Sequence, residues 1–209
     1  AVIDEELASD HTASITQTGA DGTAEQQQNG HGHTATVDQA GTGNDALQTQ
    51  SSGFDTFGGG HLADILQSGD RNGATQTQSG LQNDASVIQS GDDNVATQTQ
   101  SGTTGLNEAR IDQSGTFNSA IQTQGAVGGH FATATQSGLG ISGDLNTVVQ
   151  NQTGLVQEST VSQSGGAGNT VESTQSGFDH SNIVNQAGID NGAVVLQSGT
   201  SNTATVTQN

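Results

Sequence analysis

A glutamine that recurs at a step of mostly eleven residues limits the possible folds of this chain more than any other feature, because a chain made of copies of one short unit folds by stacking them. With that glutamine as the last residue of each unit, seventeen units end at Gln17, Gln28, Gln39, Gln50, Gln67, Gln78, Gln89, Gln100, Gln113, Gln124, Gln136, Gln152, Gln163, Gln175, Gln186, Gln197 and Gln208. The longer steps mark insertions, the largest near residues 51–60 and 138–144, both Gly-containing and read as enlarged turns. Residues 1–10 lie outside the repeat as a non-repeat N-terminal segment, and residues 11–209 carry it.

Gly follows two residues after the marker in fourteen of sixteen cases, so each unit is expected to end in a turn of unusual backbone angles where its strand stops. Counting back from the marker in steps of two gives the residues that share the inner side of a strand. Four before the marker stands Ala in thirteen of seventeen units, including Ala74, Ala85 and Ala96, which implies a narrow interior. Two before it the odd units carry Ile15, Val37, Ile65, Val87 and Ile111, whereas the even units carry Gln26, Gln48, Gln76, Gln98 and Gln122, with Val195 as the exception. The true period is therefore about 22 residues. An all-β solenoid with two strands per coil follows, of about 8.5 coils, odd strands on one face and even strands on the other, an aliphatic column facing a glutamine column. Identical amides stacked at Gln67, Gln89 and Gln113, and at Gln78, Gln100 and Gln124, can each donate to one neighbour and accept from the other. Outward positions such as Thr75, Thr77, Thr97 and Thr99 form the solvent-facing set.

Composition agrees with a thin, hydrogen-bonded fold. Only 28% of the residues are hydrophobic and 2% aromatic, too few for a wide core. Low hydrophobicity and a net charge of −19 would signal disorder if the residues were not periodic. Pro, which removes a ladder donor, is absent, and so is Cys, which excludes disulfides and Cys-ligated zinc. Two basic residues against 21 acidic ones argue against nucleic acid as a partner. No run of 18 apolar residues suggests membrane insertion, and a removed signal peptide is expected ahead of Ala1.

The pattern G-x-x-N-x-A-x-x-x-Q is met in full from Gly41, Gly69, Gly80, Gly91, Gly115, Gly188 and Gly199. In this the repeats resemble the curlin family, the major subunits of curli fibres. The resemblance implies coils of two strands with Gln and Asn ladders, secretion as an unfolded chain, nucleated assembly with secretion and nucleation factors as partners, and an extracellular cell-surface fibre serving biofilm matrix and adhesion. The chain differs from familiar curlins in carrying Asn-x-Ala on both strands, in its near lack of aromatics and in its larger number of coils.

Six before the marker, ten units carry Asn, including Asn72, Asn83, Asn94, Asn107 and Asn118, and five carry His. All five histidines fall in odd units, and His11, His33 and His61 belong to successive coils. Such a column could bind a metal or sense pH; the plainer reading makes His a substitute for Asn as a turn-capping hydrogen-bonder. Turn acids such as Asp70, Asp92, Asp93, Asp179 and Asp190 could line up for calcium, against the plainer reading of a solvated edge. Phe54, Phe57, Phe117 and Phe178 lie in or beside turns and Phe131 is expected to point outward. Every Ser, His and Asp sits in a repeat slot or turn, so no nucleophile, base and orienter form a unique set, and neither an enzyme nor a cofactor is expected. Open ends should stack on further copies by cross-β pairing, with Val2 to Leu7 a candidate to fill the half-coil left vacant between them. The alternative is a monomeric solenoid that binds ice or forms an adhesin section; an ice-binder would carry a flat array of Thr-x-Thr rows, whereas the pairs here are expected on both faces in non-adjacent coils, so that no continuous array forms.

Overall fold

The computed structural model describes residues 1–52, 60–103 and 106–209, with side chains outside 5–9. The insertion expected near 51–60 and Phe54 and Phe57 with it lie mostly outside those residues. The chain is an all-β parallel solenoid of about 8 turns, about 23 residues apart. Its strands are β1 (Val2–Ser9), β2 (Thr12–Ala20), β3 (Thr23–His31), β4 (Thr34–Thr42), β5 (Asp45–Ser51), β6 (Leu62–Ser68), β7 (Gly73–Gly80) and β8 (Asp84–Asp92). There follow β9 (Val95–Gly102), β10 (Glu108–Thr116), β11 (Asn118–Ala126), β12 (Phe131–Leu139), β13 (Asn146–Gly165), β14 (Thr170–Gly188), β15 (Gly192–Thr200) and β16 (Thr203–Gln208).

Up to β12 each strand pairs in parallel with the one two places along the chain, so β7 lies on β9 with Gln76 opposite Gln98, and β6 on β8 with Ile65 opposite Val87; β13 and β14 each span two units and so also pair with their immediate neighbours. The odd units build one face, called here the aliphatic face, and the even units the other, the glutamine face. The register is kept by the side-chain period of two, since a one-residue slip would turn Ala, Gln and Val outward together.

The core is as narrow as the alanines imply. Ala63, Ala85, Ile65, Val87, Ile111, Gln76, Gln98 and Gln122 are all completely buried. The aliphatic column does not face the glutamine column, however. Val37, Ile65, Val87 and Ile111 pack in one cluster with Ala46, Ala74, Ala96 and Ala120 of the opposite face. The chain reverses at each turn, so the residue two before the marker on one strand meets the residue four before it on the other. In most coils a large side chain thus opposes a small one, which keeps the thickness nearly constant; near the C-terminal end Val171 takes the alanine slot and packs in the same cluster as Val161 and Val184.

Most strands do not stop at the turn glycine, although β6 ends just before Gly69. Gly91 (φ 108°) and Gly115 (φ 102°) stay within the ladder, and in β13 and β14 pairing continues around the corner. A Cβ on Gly91 would lie 2.0 Å from the Gly115 carbonyl oxygen, so stacked glycine carbonyls rather than a strand end explain the conserved phase of this residue along the chain. The insertion at 138–144 is a turn closed by an antiparallel bridge between Ile141 and Asp144. The outward face is less uniformly polar than its Thr and Ser residues suggest, for Leu62, Leu66, Val95 and Ile121 are also exposed there.

Residues 2–9, expected outside the repeat, form a strand. β1 pairs in parallel with β3, placing Val2 opposite Glu25, Ile3 opposite Gln26 and Glu5 opposite Gln28.

Candidate functional site

The elements of chemical interest are the stacked polar ladders and the open edges in which they end. On the aliphatic face Gln67 Nε2 donates to Gln89 Oε1 (2.8 Å), Gln89 to Gln113 (2.9 Å) and Gln113 to Gln136 (2.8 Å). On the glutamine face two such ladders run side by side, through Gln76, Gln98 and Gln122 (2.9 and 3.0 Å) and through Gln78, Gln100 and Gln124 (2.9 and 2.9 Å). The second amide proton reaches across the core: Gln89 donates to the Gly73 carbonyl, Gln78 to Leu62 and Gln98 to Ser86. Glutamine suits this slot because it is long enough to bridge to the opposite strand while its amide also bridges coil to coil.

The ladders have direction. Within these ladders Nε2 points to the coil that follows in sequence and Oε1 to the one before, until Gln150, which donates to Ser159 instead. Where the glutamine-face ladders end beneath β1, Gln26 Oε1 and Gln28 Oε1 are buried with no hydrogen-bond partner.

Asn and His perform one task in the turn slot. Asn72 Nδ2 donates to the Ser68 carbonyl four residues back (3.3 Å), and its Oδ1 accepts from the Asn94 backbone N–H (3.1 Å). In the same way His33 Nε2 meets the Asn29 carbonyl (3.0 Å), and its Nδ1 accepts from the His61 backbone N–H (3.0 Å). His61 Nδ1 accepts from Asn83 N–H (3.0 Å), and Asn83 Oδ1 from the side chain of Asn107 (2.9 Å). That pattern requires neutral imidazole protonated on Nε2. His11, His33 and His61 stack with ring centroids 4.9 and 4.8 Å apart. Burial, partly offset by the Asn29 carbonyl, lowers the pKa of His33 to about 4, with His61 and His11 adding repulsion. With both ring nitrogens of His33 and His61 engaged by backbone, the column is a run of turn caps, the plainer of the two readings.

The turn acids are spent in a similar way. Asp70 Oδ1 accepts from the Thr42 backbone N–H (2.8 Å), Asp92 Oδ1 from that of Asp70 (2.9 Å), and Asp93 holds Arg71 through two bonds of 2.7 Å. Phe131 alternates with buried Ala132 and faces outward, and Phe178 is exposed.

The Thr-x-Thr pairs were expected in non-adjacent coils, and two of them are adjacent. Thr75 lies opposite Thr97 and Thr77 opposite Thr99 on the glutamine face, since even units succeed one another there. The second row extends through Thr49 and Thr123, while Leu47 and Ile121 interrupt the first.

One polar cluster escaped the sequence reading. At Ser173 the glutamine column shortens, and the alanine column opposite bulges into Ser159 and Asn182. Ser159 Oγ lies 3.2 Å from Ser173 Oγ and donates to Asn182 Oδ1 (3.1 Å), and Asn182 Nδ2 donates to Ser173 Oγ. The exchange is visible in the sequence only once the columns that oppose one another are known.

Residues 58–91 match the family model of the curlin associated repeat, in agreement with the resemblance carried by the repeats. That segment holds Ile65, Gln67, Asn72, Ala74, Gln76, Gln78, Asn83, Val87 and Gln89, and its slots recur in phase through the rest of the solenoid. No curated protein matches the chain.

Proposed function

We propose that this chain is the structural subunit of an extracellular, curli-like amyloid fibre, stacking head to tail on copies of itself and acting in matrix and adhesion rather than catalysis. The observation that carries the reading is that the solenoid's two ends are unfinished versions of one another. β2 ends the aliphatic face with Ala13, Ile15 and Gln17, and β16 ends it with Ala204, Val206 and Gln208. Both sets occupy slots that are fully buried in the interior, yet Ile15, Ala204 and Val206 are only partly buried. An uncovered strand edge with such slots is a template for the same strand sequence.

The repeating element of assembly is the coil, one strand from each face and two turns, and the cross-β axis runs along the stack. Ladder direction favours head-to-tail joining, because it presents Gln208 Nε2 to Gln17 Oε1, whereas joining like ends opposes like groups. Secretion and nucleation factors are the partners this reading entails beyond the chain itself, with export to the cell surface. Size-exclusion chromatography followed by electron microscopy of the purified chain tests it: filaments are expected, and a monomer that stays soluble at high concentration refutes it.

The adjacent Thr75, Thr77, Thr97 and Thr99 favour a second reading, a monomeric solenoid that binds an ordered surface such as ice. Ice recrystallisation inhibition by a non-filamentous monomer, lost on Thr77→Leu, would support that reading.

A further inference from the structure

We propose that β1 is the joint strand between subunits: it fills the level on the glutamine face that is otherwise vacant between copies, and a second copy of this chain seats its β15 on β1 and its β16 on β2. This rests on the filament reading above and names its junction.

Among the described residues the aliphatic face holds β2, β4, β6, β8, β10, β12, the latter halves of β13 and β14, and β16, nine segments in all. The glutamine face holds β3, β5, β7, β9, β11, the first halves of β13 and β14, and β15, eight segments, and β1 makes nine. With eight against nine, β16 resting on a neighbour's β2 would leave a strand-sized gap beside it. With nine against nine the stack runs through the joint without a gap.

The chemistry of the slots agrees. The column two before the marker on the glutamine face is polar throughout its interior, from Gln26 to Gln150 and Ser173, but aliphatic at both ends, Ile3 and Val195. Ile3, though in an inward slot, is 47% exposed, and it offers Gln26 Oε1 no donor. At a head-to-tail joint Val195 covers Ile3, and on the outer side of the same strands Val194 covers Val2; Ile3, Val194 and Val2 are exposed in the isolated chain. The ladder is therefore interrupted where one subunit ends, and the interruption is filled by apolar side chains: Ile3 gains from burial beneath Val195, which its own chain already buries.

A disulfide test separates the joint from the filament. The chain has no cysteine, so Val2→Cys with Val194→Cys creates a single possible bridge. Within one molecule the two residues lie about eight strand spacings apart, roughly 38 Å, far beyond the Cα separation of about 4.4–6.8 Å that a disulfide allows. Adjacent strands across the joint, about 4.8 Å apart, satisfy it. Filaments of the double variant assembled under reduction and then oxidised should give a ladder of covalent oligomers on a denaturing gel without reductant, while Val2→Cys alone and Val194→Cys alone should stay monomeric. Deleting residues 1–10 should slow elongation about tenfold or more, the equivalent of losing about 1.4 kcal/mol. Filaments of the double variant that run only as monomers, single variants that cross-link equally well, or undiminished elongation without residues 1–10 would each overturn the joint and leave the filament reading intact. Absence of filaments from the unsubstituted chain would overturn both.

Discussion

At the level of single side chains, stability is set by hydrogen-bonding slots that each serve two neighbours. Gln89→Leu removes the acceptor of Gln67 and the donor to Gln113 Oε1. Gln67 Nε2 keeps the Asp45 and Asn72 carbonyls as acceptors, so the main loss is the orphaned Gln113 oxygen. A destabilisation of about 1–3 kcal/mol is expected, read from the shift of a denaturant unfolding curve. The histidine column gives a pH dependence of definite sign. His33 stays neutral in the fold down to about pH 4 but protonates near 6.5 when its coil opens. Between those values the open state takes up protons and the closed one does not, so stability is full above about pH 6.5 and declines as pH falls toward 4. His61 is shifted in the same direction by burial. Hydrogen exchange should show protection of β2, β4 and β6 falling from pH 7 to pH 5, and His33→Asn, which retains the cap, should flatten that fall.

At the level of strands, opposing columns are matched in size, large against small. The Ser173, Ser159 and Asn182 exchange is the polar interior departure from that rule, Ala134, Val148 and Val171 being apolar ones. Ser173→Gln alone should overfill the site and cost about 1–3 kcal/mol. Adding Ser159→Ala and Asn182→Ala restores the regular pattern, and thermal melting of the triple variant should recover most of the loss. If the triple variant is no more stable than Ser173→Gln, the columns do not oppose one another as described. Much at this scale was legible in the sequence: the alternation of Ile65 and Val87 with Gln76 and Gln98 places the faces and the register, because a strand's period of two leaves no other choice. What faces what was not legible, since it depends on how far the chain advances in each turn. The same ignorance placed the end of the strand at Gly91, where the carbonyl of Gly115 rather than a chain reversal demands a missing Cβ. β1 escaped as a strand of known partner because Val2 to Leu7 repeat nothing; its pairing follows from the open edge of β3.

At the level of the whole molecule, a rod with a net charge of −19 must bring like charges together in order to stack. In the proposed fibre, screening by salt should accelerate assembly, so elongation rates followed by dye fluorescence are expected to rise between about 20 and about 200 mM NaCl, over which the Debye length falls by roughly threefold. A rate unaffected by salt would remove charge as the brake. The central claim, that equivalent side chains are superimposed coil over coil and that the same superposition joins the subunits, is tested most directly by electron cryomicroscopy of the assembled filaments. The expected map has strands spaced about 4.8 Å along the axis, Gln76 directly over Gln98, and a subunit repeat of nine levels, about 43 Å. A map with Gln76 and Gln98 on different faces, or with Ile65 and Val87 turned to solvent, would contradict it.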